Sequence, residues 1–141
     1  MLHVIPHAVF LHVEDNPDEA RLFRDALARV TANIRIRRVS SAETALGLMP
    51  VPRPGDAGPP FDCVVSRLRL PGRSGQDLAR ALRQRYDAAT LPLVAVTHDV
   101  PAAAETPFDA VYQKAASVRA MEPVAHAIVD LWFSQARRFH C

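Results

Sequence analysis

The sequence predicts a doubly wound α/β fold, in which helices cover both faces of a five-stranded parallel sheet. Short apolar runs alternate with segments of helical periodicity along the 141 residues, and this alternation is typical of β-α-β units. The run AVFLHV at 8–13 is almost continuously apolar, as expected for a strand buried on both faces. Right-handed crossovers leave few other topologies. The length fits a single domain over residues 1–141.

The first helix has a clear start signal in the sequence. Asn16 is a favourable N-cap residue, Pro17 suits the first helical position, and Glu19 lies three residues after the cap. Apolar residues at helical spacing follow, which predicts an amphipathic helix packed on the sheet.

The next segment predicts an edge strand, a helix and a long loop. IRIRRV at 34–39 alternates in polarity, as a half-covered edge strand does. We expect the second helix to begin at a capping box of Ser40 and Glu43 and to stop at Pro50. Residues 50–60 contain five prolines and two glycines, which predicts a loop.

The second half of the chain continues the alternation of strands and helices. Apolar runs predict strands at 61–66, 91–97 and 109–113, and helical patterns predict helices at 74–86 and from after residue 114 to about 137. The segment 98–108 contains two prolines and little pattern, so any helix there is expected to be short.

Composition favours a cytoplasmic globular protein. Hydrophobic residues make up 49% and charged residues 23% of the chain, which excludes a disordered polymer. Two cysteines form neither a disulfide framework nor a zinc-binding pattern. No segment has the features of a signal peptide or a membrane span. The net charge of +2 argues only weakly for a nucleic-acid partner, and the arginine clusters at 35–38 and 137–138 are interpreted as solvated faces.

Polar side chains follow four of the predicted strands at the points where those strands end. Glu14 and Asp15 follow the first strand, Arg67 follows the third, Thr97 ends the fourth, and Lys114 follows the fifth. Because the carboxyl ends of parallel strands meet at one edge of the sheet, these groups are expected to share one site.

The motifs that carry these residues resemble the receiver domain of two-component response regulators. The resemblance lies in VEDNPDEARLF, FDCVVSRLRLPGRSG, LPLVAVT and DAVYQK, and it covers essentially the whole chain. It implies a flavodoxin-like sheet of strand order 2-1-3-4-5. In the family, an acidic pair and a main-chain carbonyl hold Mg²⁺ beside a phospho-accepting aspartate. The resemblance assigns the acidic pair to Glu14 and Asp15, the carbonyl to Arg69, the hydroxyl to Thr97 and the lysine to Lys114.

The phosphoacceptor position is occupied by arginine. The family places its aspartate four residues before the loop proline, and counting back from Pro71 gives Arg67. A guanidinium is neither a nucleophile nor a metal ligand, so phosphorylation is not expected and Mg²⁺ binding is expected to be weak or absent. Arg67 is expected to bridge Glu14 and Asp15 in place of the metal. The alternative is that its guanidinium faces solvent.

Three further positions depart from the family pattern. His98 follows the hydroxyl residue where the family has a small side chain, and Ala115 follows the lysine where the family has proline. Val111 stands where the family often has a switch aromatic, and Tyr112, one place later, is expected to face the other side of the sheet. The segment from residue 97 to residue 114 is also shorter than in the family, which implies a shortened fourth helix.

The last helix has a broad apolar arc centred on Val129, Trp132 and Phe133. A helix docked on one sheet needs a narrower stripe, so the surplus is either covered by a neighbouring loop or forms a homodimer interface that Tyr112 joins. IVDLWF at 128–133 resembles the ending of stand-alone receivers associated with bacterial phytochromes, which implies a homodimer and a histidine kinase or phytochrome as partner.

The sequence therefore predicts a stand-alone pseudo-receiver that binds other proteins, with no enzymatic activity and no cofactor. Two other functions remain open at this stage. One is a phosphorylation switch that uses an unusual acceptor such as Ser66, whose side chain is expected on the other face of the sheet. The other is nucleic-acid binding through the arginine-rich surface.

Overall fold

The computed structural model describes residues 5–100 and 106–140, with side chains as far as residue 136. Its elements are β1 (Ala8–Val13), α1 (Pro17–Val30), β2 (Ile34–Val39), α2 (Ala42–Leu48), β3 (Cys63–Ser66), α3 (Gly75–Arg85), β4 (Leu93–Thr97), β5 (Ala110–Gln113) and α4 (Val118–His140).

The five strands form one parallel sheet in the order β2-β1-β3-β4-β5, so the predicted fold class and strand order are confirmed. Val13 lies opposite Val39 on one side and Ser66 on the other. The strands β1, β2 and β3 therefore end level with one another. This places the residues that follow β1 and β3 side by side at the carboxyl edge of the sheet.

Two separate apolar cores lie on the two faces of the sheet. One face packs against α2 and α3, and its central residues include Leu11, Val13, Val64, Leu78, Leu82 and Leu93. The other face packs against α1 and α4, and its central residues include Phe10, Phe23, Leu27, Val65, Met121 and Ile128. The alternation of side chains along β1 and β3 therefore decides which helix layer each residue after a strand will face.

Most predicted boundaries lie within two residues of the observed ones, and the cap of α2 is a correction. The N-cap is Ser41, whose Oγ accepts a hydrogen bond from the Thr44 amide at 3.2 Å. The capping box predicted from Ser40 and Glu43 is therefore wrong by one residue. Ser40 directly follows Val39, the last residue of β2, and is exposed. It therefore lies between the strand and the N-cap, and the helix begins one residue later than predicted.

The segment between β4 and β5, where a shortened helix is expected, is described in part. Residues 98–100 and 106–109 are not helical, and residues 101–105 lie outside the described part of the chain. The last helix is longer than predicted, since it extends to His140 rather than to about residue 137.

The apolar arc of α4 is buried inside the chain. Val129 is 1% exposed and Trp132 is 5% exposed, so at these two residues the structure favours the alternative in which the arc is covered within the chain. The Trp132 ring meets Phe10 edge-on, with the ring centroids 5.4 Å apart. Phe133 and Tyr112 are half-buried and pack against the same core. Because α4 packs against α1 as well as against strand residues of the sheet, it needs a wider apolar face than a helix that lies on a sheet alone.

Candidate functional site

Backbone contacts at the end of β3 hold Arg67 in place. The Arg67 amide donates to the Val13 carbonyl at 3.0 Å, and the Gly75 amide donates to the Leu68 carbonyl at 2.9 Å. A Cβ atom at Gly75 would lie 2.1 Å from the Arg67 carbonyl oxygen, so only glycine allows α3 to start this close to the strand. Arg67 lies two residues after Val65, so both side chains face the same side of the sheet, which carries the layer formed by α1 and α4.

Arg67 binds a group of three carboxylates. Its Nη1 lies 3.0 Å from Asp15 Oδ1, 3.3 Å from Glu14 Oε2 and 3.6 Å from Glu19 Oε2. The predicted ion pairs with Glu14 and Asp15 are present. The alternative, in which the guanidinium faces solvent, is wrong, because the side chain is 26% exposed and its charged end is paired.

Lys114 completes this cluster from the end of β5. Its Nζ donates to Glu14 Oε1 and to Glu19 Oε2, and its side chain is only 8% exposed. The Lys114 amide donates to the Thr97 carbonyl at 2.8 Å, which holds β4 and β5 together at this edge. The sheet thus brings Glu14, Asp15, Arg67 and Lys114 into one ionic cluster.

Glu19 is a member of the ionic cluster that the sequence did not reveal. The pattern identified it only as an acid in the first turn of a helix. In the structure its carboxylate accepts from Lys114, lies close to Arg67 and is 2.6 Å from His98 Nε2. Glu19 therefore connects α1 to residues that follow β3, β4 and β5. No local sequence pattern distinguishes this acid from the others in the first turn of α1.

Arg38 supports the acidic pair from the end of β2. Its Nε donates to the Glu14 carbonyl at 2.9 Å and its Nη2 donates to the Asp15 carbonyl at 3.2 Å. Arg35, Arg37 and Arg38 are all exposed, as the interpretation of this cluster as a solvated face predicts, and Arg38 makes these two backbone contacts in addition. Glu14 itself is 1% exposed, and its Oε2 also accepts from the Asn16 amide at 3.1 Å.

The ionic cluster keeps Glu19 charged. Partial burial by itself raises the pKa of Glu19, but hydrogen bonds from Lys114 and His98 and the charges of Lys114 and Arg67 outweigh that effect. The pKa falls from 4.5 to about 2. For Arg67, burial acts to lower the pKa, and the charges of the carboxylates raise it overall. Both groups are therefore ionised at neutral pH.

His12 lies beneath the cluster as a neutral side chain. Burial, together with the charges of Lys114 and Arg38, lowers the pKa of His12 from 6.5 to about 3. Its ring stacks at a tilt on Phe23, with the centroids 4.7 Å apart. The cavity between His12 and the cluster has a volume of about 20 Å³. A space of this size holds one water molecule.

The carboxylate oxygens that a divalent ion would use are paired with cationic side chains in this structure. A hard divalent ion needs several free oxygen ligands in octahedral geometry, but Arg67 and Lys114 already engage the oxygens of Glu14, and Arg67 engages Asp15. In residues 5–100 and 106–136, no group of three or more histidine, cysteine, aspartate or glutamate side chains is placed to hold a metal ion. Arg69, whose carbonyl corresponds to the family's main-chain ligand, has an exposed side chain 4.0 Å from Asp99.

Two hydroxyl groups near the cluster are engaged elsewhere. Thr97 Oγ1 accepts from the Asp99 amide at 3.3 Å, and among the described residues it makes no hydrogen bond to the ionic cluster. Ser66 is 1% exposed and its Oγ donates to the Arg67 carbonyl at 2.9 Å. Ser66 is adjacent to Val65 in β3, so its side chain faces the opposite side of the sheet from that of Val65. This side carries the layer of α2 and α3 and lies away from the cluster.

Two of the other positions that depart from the family pattern, His98 and Ala115, lie at the cluster. His98 is exposed and pairs with Glu19, and Ala115 lines the small cavity. Val111 packs against the core of α2 and α3, whereas Tyr112 packs against the core of α1 and α4. The prediction that these two side chains face opposite sides of the sheet is confirmed. Burial raises the pKa of Tyr112.

The structure is similar to solved receiver domains. The phosphorylated cyanobacterial phytochrome response regulator RcpA superposes with a TM-score of 0.71 at 18% identity, over 91% of this chain and 95% of that one. A CheY-like receiver domain from Methylobacillus flagellatus gives 0.65 at 26% identity, over 86% and 98%. A response regulator in red light signalling of R. palustris gives 0.68 at 25% identity, over 89% and 91%.

A curated protein sequence is also similar over part of its length. Stress response regulator protein 1 of the yeast Meyerozyma guilliermondii is 32% identical over 88 residues. The aligned region covers 62% of this chain and 38% of the yeast protein, so the chain matches well under half of that relative. No protein-family model matches the sequence.

These comparisons and the strand order show that the chain has the fold of CheY-like receiver domains. None of the helices within the described residues is both long and apolar enough to cross a membrane.

Proposed function

We propose that the protein is a pseudo-receiver, a receiver-like module of two-component-type signalling that takes up no phosphate and acts by binding partner proteins. The single observation that carries the proposal is the position of Arg67. It stands where the receiver family has its phospho-accepting aspartate, and its guanidinium is bound to Asp15 and Glu14.

The chemistry of this position supports the proposal. Phosphoryl transfer to a receiver needs a carboxylate nucleophile, and guanidinium has no lone pair available for attack at neutral pH. Ser66 is a poor substitute, because its hydroxyl is buried and faces away from the cluster. The nearby carboxylates of Glu14 and Glu19 are engaged by Lys114.

The charge balance of the cluster supports a protein that works without Mg²⁺. Two basic side chains, Arg67 and Lys114, lie among the three carboxylates of Glu14, Asp15 and Glu19. A divalent ion would have to displace a guanidinium held at 3.0 Å from Asp15. We therefore propose that no metal cofactor is needed and that Arg67 supplies the positive charge of this site permanently.

The remaining role of such a fold is recognition of other proteins. The resemblance to phytochrome-associated response regulators motivates a histidine kinase or a phytochrome as partner, and both stay proposals. A homodimer also stays a proposal, but the burial of Val129 and Trp132 removes the argument that α4 forms it through those two residues. The fold and the occupied cluster support a binding module rather than an enzyme.

Intact-mass measurement after incubation with acetyl phosphate and Mg²⁺ tests the proposal. We expect no mass change in the wild-type protein under conditions in which an ordinary receiver, incubated in parallel, gains one phosphoryl group. A gain that the Ser66→Ala variant loses would establish the serine switch instead. A gain that persists in Ser66→Ala and is removed by hydroxylamine would contradict the proposal directly, since it would reveal an acyl phosphate.

Thermal unfolding with and without Mg²⁺ tests the role of Arg67 as a substitute for the metal. Millimolar Mg²⁺ is expected to leave the melting temperature of the wild type unchanged. The matched variant Arg67→Asp replaces the cation by a fourth carboxylate, and Mg²⁺ is expected to stabilise that variant. Equal stabilisation of both proteins by Mg²⁺ would show that Arg67 does not exclude the ion.

A further inference from the structure

A cleft opens at the amino edge of the sheet, at the opposite end from the ionic cluster. It is lined by residues that precede β1, β3 and β4 and by the carboxyl-terminal half of α4. Its volume is about 590 Å³, which lies within the range of pockets that hold small organic molecules. The proposed function makes no use of this cleft.

The inner wall of the cleft is apolar and aromatic. Trp132 and Phe61 line it and are only 5% and 9% exposed, and the buried Pro92 lines it as well. Trp132 is held from within the core by Phe10, whose ring it meets edge-on with the centroids 5.4 Å apart. A wall of flat, fixed apolar rings favours a ligand that has an aromatic ring of its own.

Gln135 supplies a hydrogen-bond acceptor that has no donor. Its side chain lines the cleft, and its Oε1 is buried and has no hydrogen-bond partner among the described residues. A buried acceptor that stays unpaired destabilises the folded protein. The last torsion of a glutamine side chain is soft, so this oxygen can turn toward a donor that enters the cleft.

Asp62 adds a carboxylate to the same cleft. Its Oδ2 accepts from the Val9 amide at 2.9 Å, which holds the carboxylate beside β1, and the residue is exposed. The described residues that line the cleft include no lysine or arginine, and the other titratable side chain among them is His7, which is exposed. A carboxylate and an unpaired amide oxygen both select a ligand with N–H donors, and the carboxylate favours a positive charge.

We propose that this cleft binds a small aromatic amine, whose ring packs on Trp132 and Phe61 and whose ammonium group is bound by the oxygens of Gln135 and Asp62. An ammonium has three donors and no acceptor, so it pairs with these oxygens and buries no unpaired acceptor of its own. An anionic ligand is repelled by Asp62. The cleft lies apart from Arg67, so the inference goes beyond the proposed function and does not depend on it.

Fluorescence titration of the full-length protein with three ligands that share one ring tests the inference. The ligands are 2-phenylethylamine, 2-phenylethanol and phenylacetate, which carry a cation, a neutral hydroxyl and an anion at the end of a short side chain. Trp132 is the single tryptophan of the chain, so its emission reports occupancy of the cleft. We expect saturable binding of the amine, binding of the alcohol that is weaker by about tenfold because the charge-assisted hydrogen bonds are lost, and no saturation by phenylacetate.

Variants of the two oxygen-bearing residues locate the contact. Gln135→Leu should weaken binding of the amine by about threefold to tenfold, the range for one hydrogen bond. It should not lower the melting temperature, because it removes a polar atom that is unpaired without ligand. The exposed control Gln84→Leu on α3 should change neither quantity. Asp62→Asn, whose side-chain oxygen can still accept from the Val9 amide, should reduce the preference for the amine over the alcohol.

Three results would overturn the inference. One is failure of the amine to give a saturable change in emission. Another is equal affinity for the three ligands or tighter binding of phenylacetate, since the cleft would then not select a cation. The third is equal affinity of Gln135→Leu and Gln84→Leu for the amine. None of these results would affect the test of phosphate uptake.

Discussion

Replacement of Arg67 by methionine tests whether the guanidinium stabilises the fold through the cluster. Methionine keeps much of the length of the arginine stem and removes its charge and hydrogen bonds. The variant leaves Glu14, Asp15 and Glu19 with only Lys114 as a cation inside the cluster. We expect the folded protein to be less stable, because two or more carboxylates then repel one another in a partly buried site.

The magnitude follows from the burial of the partners. Removal of one partner from a fully buried ion pair costs about 3–5 kcal/mol, and an exposed pair contributes at most about 1 kcal/mol. Glu14 is 1% exposed, but Asp15 and Arg67 are 30% and 26% exposed, so the expected loss lies between these limits, at about 1–3 kcal/mol. For a chain of 141 residues, that loss corresponds to a melting temperature lower by about 3–10 °C.

Urea unfolding as a function of pH separates this electrostatic loss from a packing defect. The folded-state pKa of Glu19, about 2, lies below its usual value of 4.5, and the Arg67 charge contributes to that shift. Stability from this source is fully present above pH 4.5 and is lost as the pH falls through about 2. The difference in unfolding free energy between the wild type and Arg67→Met should therefore be largest above pH 5 and shrink as the pH approaches 2.

Two results would refute this reasoning. Wild-type stability in Arg67→Met at pH 7 would show that the ion pairs contribute nothing net. A loss of the same size at pH 7 and pH 2.5 would assign the effect to packing of the side-chain stem. The double variant Arg67→Met/Asp15→Asn provides a control, because removal of both partners should restore part of the loss if the two side chains interact.

The remaining predictions concern α4 and Glu19. Trp132→Ala should lower the unfolding free energy by about 3–5 kcal/mol, the usual cost of deleting a large buried side chain. Trp132→Phe should lower it by less. If Trp132→Ala instead changed the molecular mass in light scattering and left the stability unaltered, Trp132 would belong to an interface. Between pH 4.5 and pH 2 the unfolding free energy of the wild type should decrease, and Glu19→Gln should reduce that decrease because glutamine does not titrate. The exposed control Glu43→Gln should show the same decrease as the wild type. Identical urea curves for both variants would contradict the role of Glu19.

The strands of the sheet were predictable because each one is identified by a pattern of neighbouring residues. A strand buried on both faces must be apolar throughout, which identified β1, and an edge strand must alternate, which identified β2. Asn16 and Pro17 mark the start of α1 for the same kind of reason, since the cap depends only on the neighbouring amides. The position of Arg67 at the end of β3 followed from counting along one motif. The pairing of Arg67 with the acidic pair was predictable because parallel strands end at a common edge.

The rest of the cluster depended on contacts between distant parts of the chain. Glu19 meets His98 and Lys114 across 79 and 95 residues, and no local pattern records which acid of a helix will face the sheet edge. Arg38 cannot be distinguished from the neighbouring arginines by the sequence pattern. Its hydrogen bonds to the Glu14 and Asp15 carbonyls form because the end of β2 lies beside the residues that follow β1. Thr97 lies at the end of β4, as its motif predicts, but its hydroxyl oxygen accepts a hydrogen bond from the Asp99 amide and not from the cluster.

The sequence by itself predicted the fold class, because periodicity is a property of the chain alone, and the resemblance of its motifs to receiver domains implied the strand order that the structure has. Only the tertiary structure decided what covers the apolar arc of α4 and which charges neutralise one another. A helical wheel gives the width of an apolar face but not the number of neighbours that share it, and α4 packs against both α1 and the sheet. Burial of Trp132 and the ionic bridge at Glu19 arise from that packing, since both need surfaces that only the folded chain brings together.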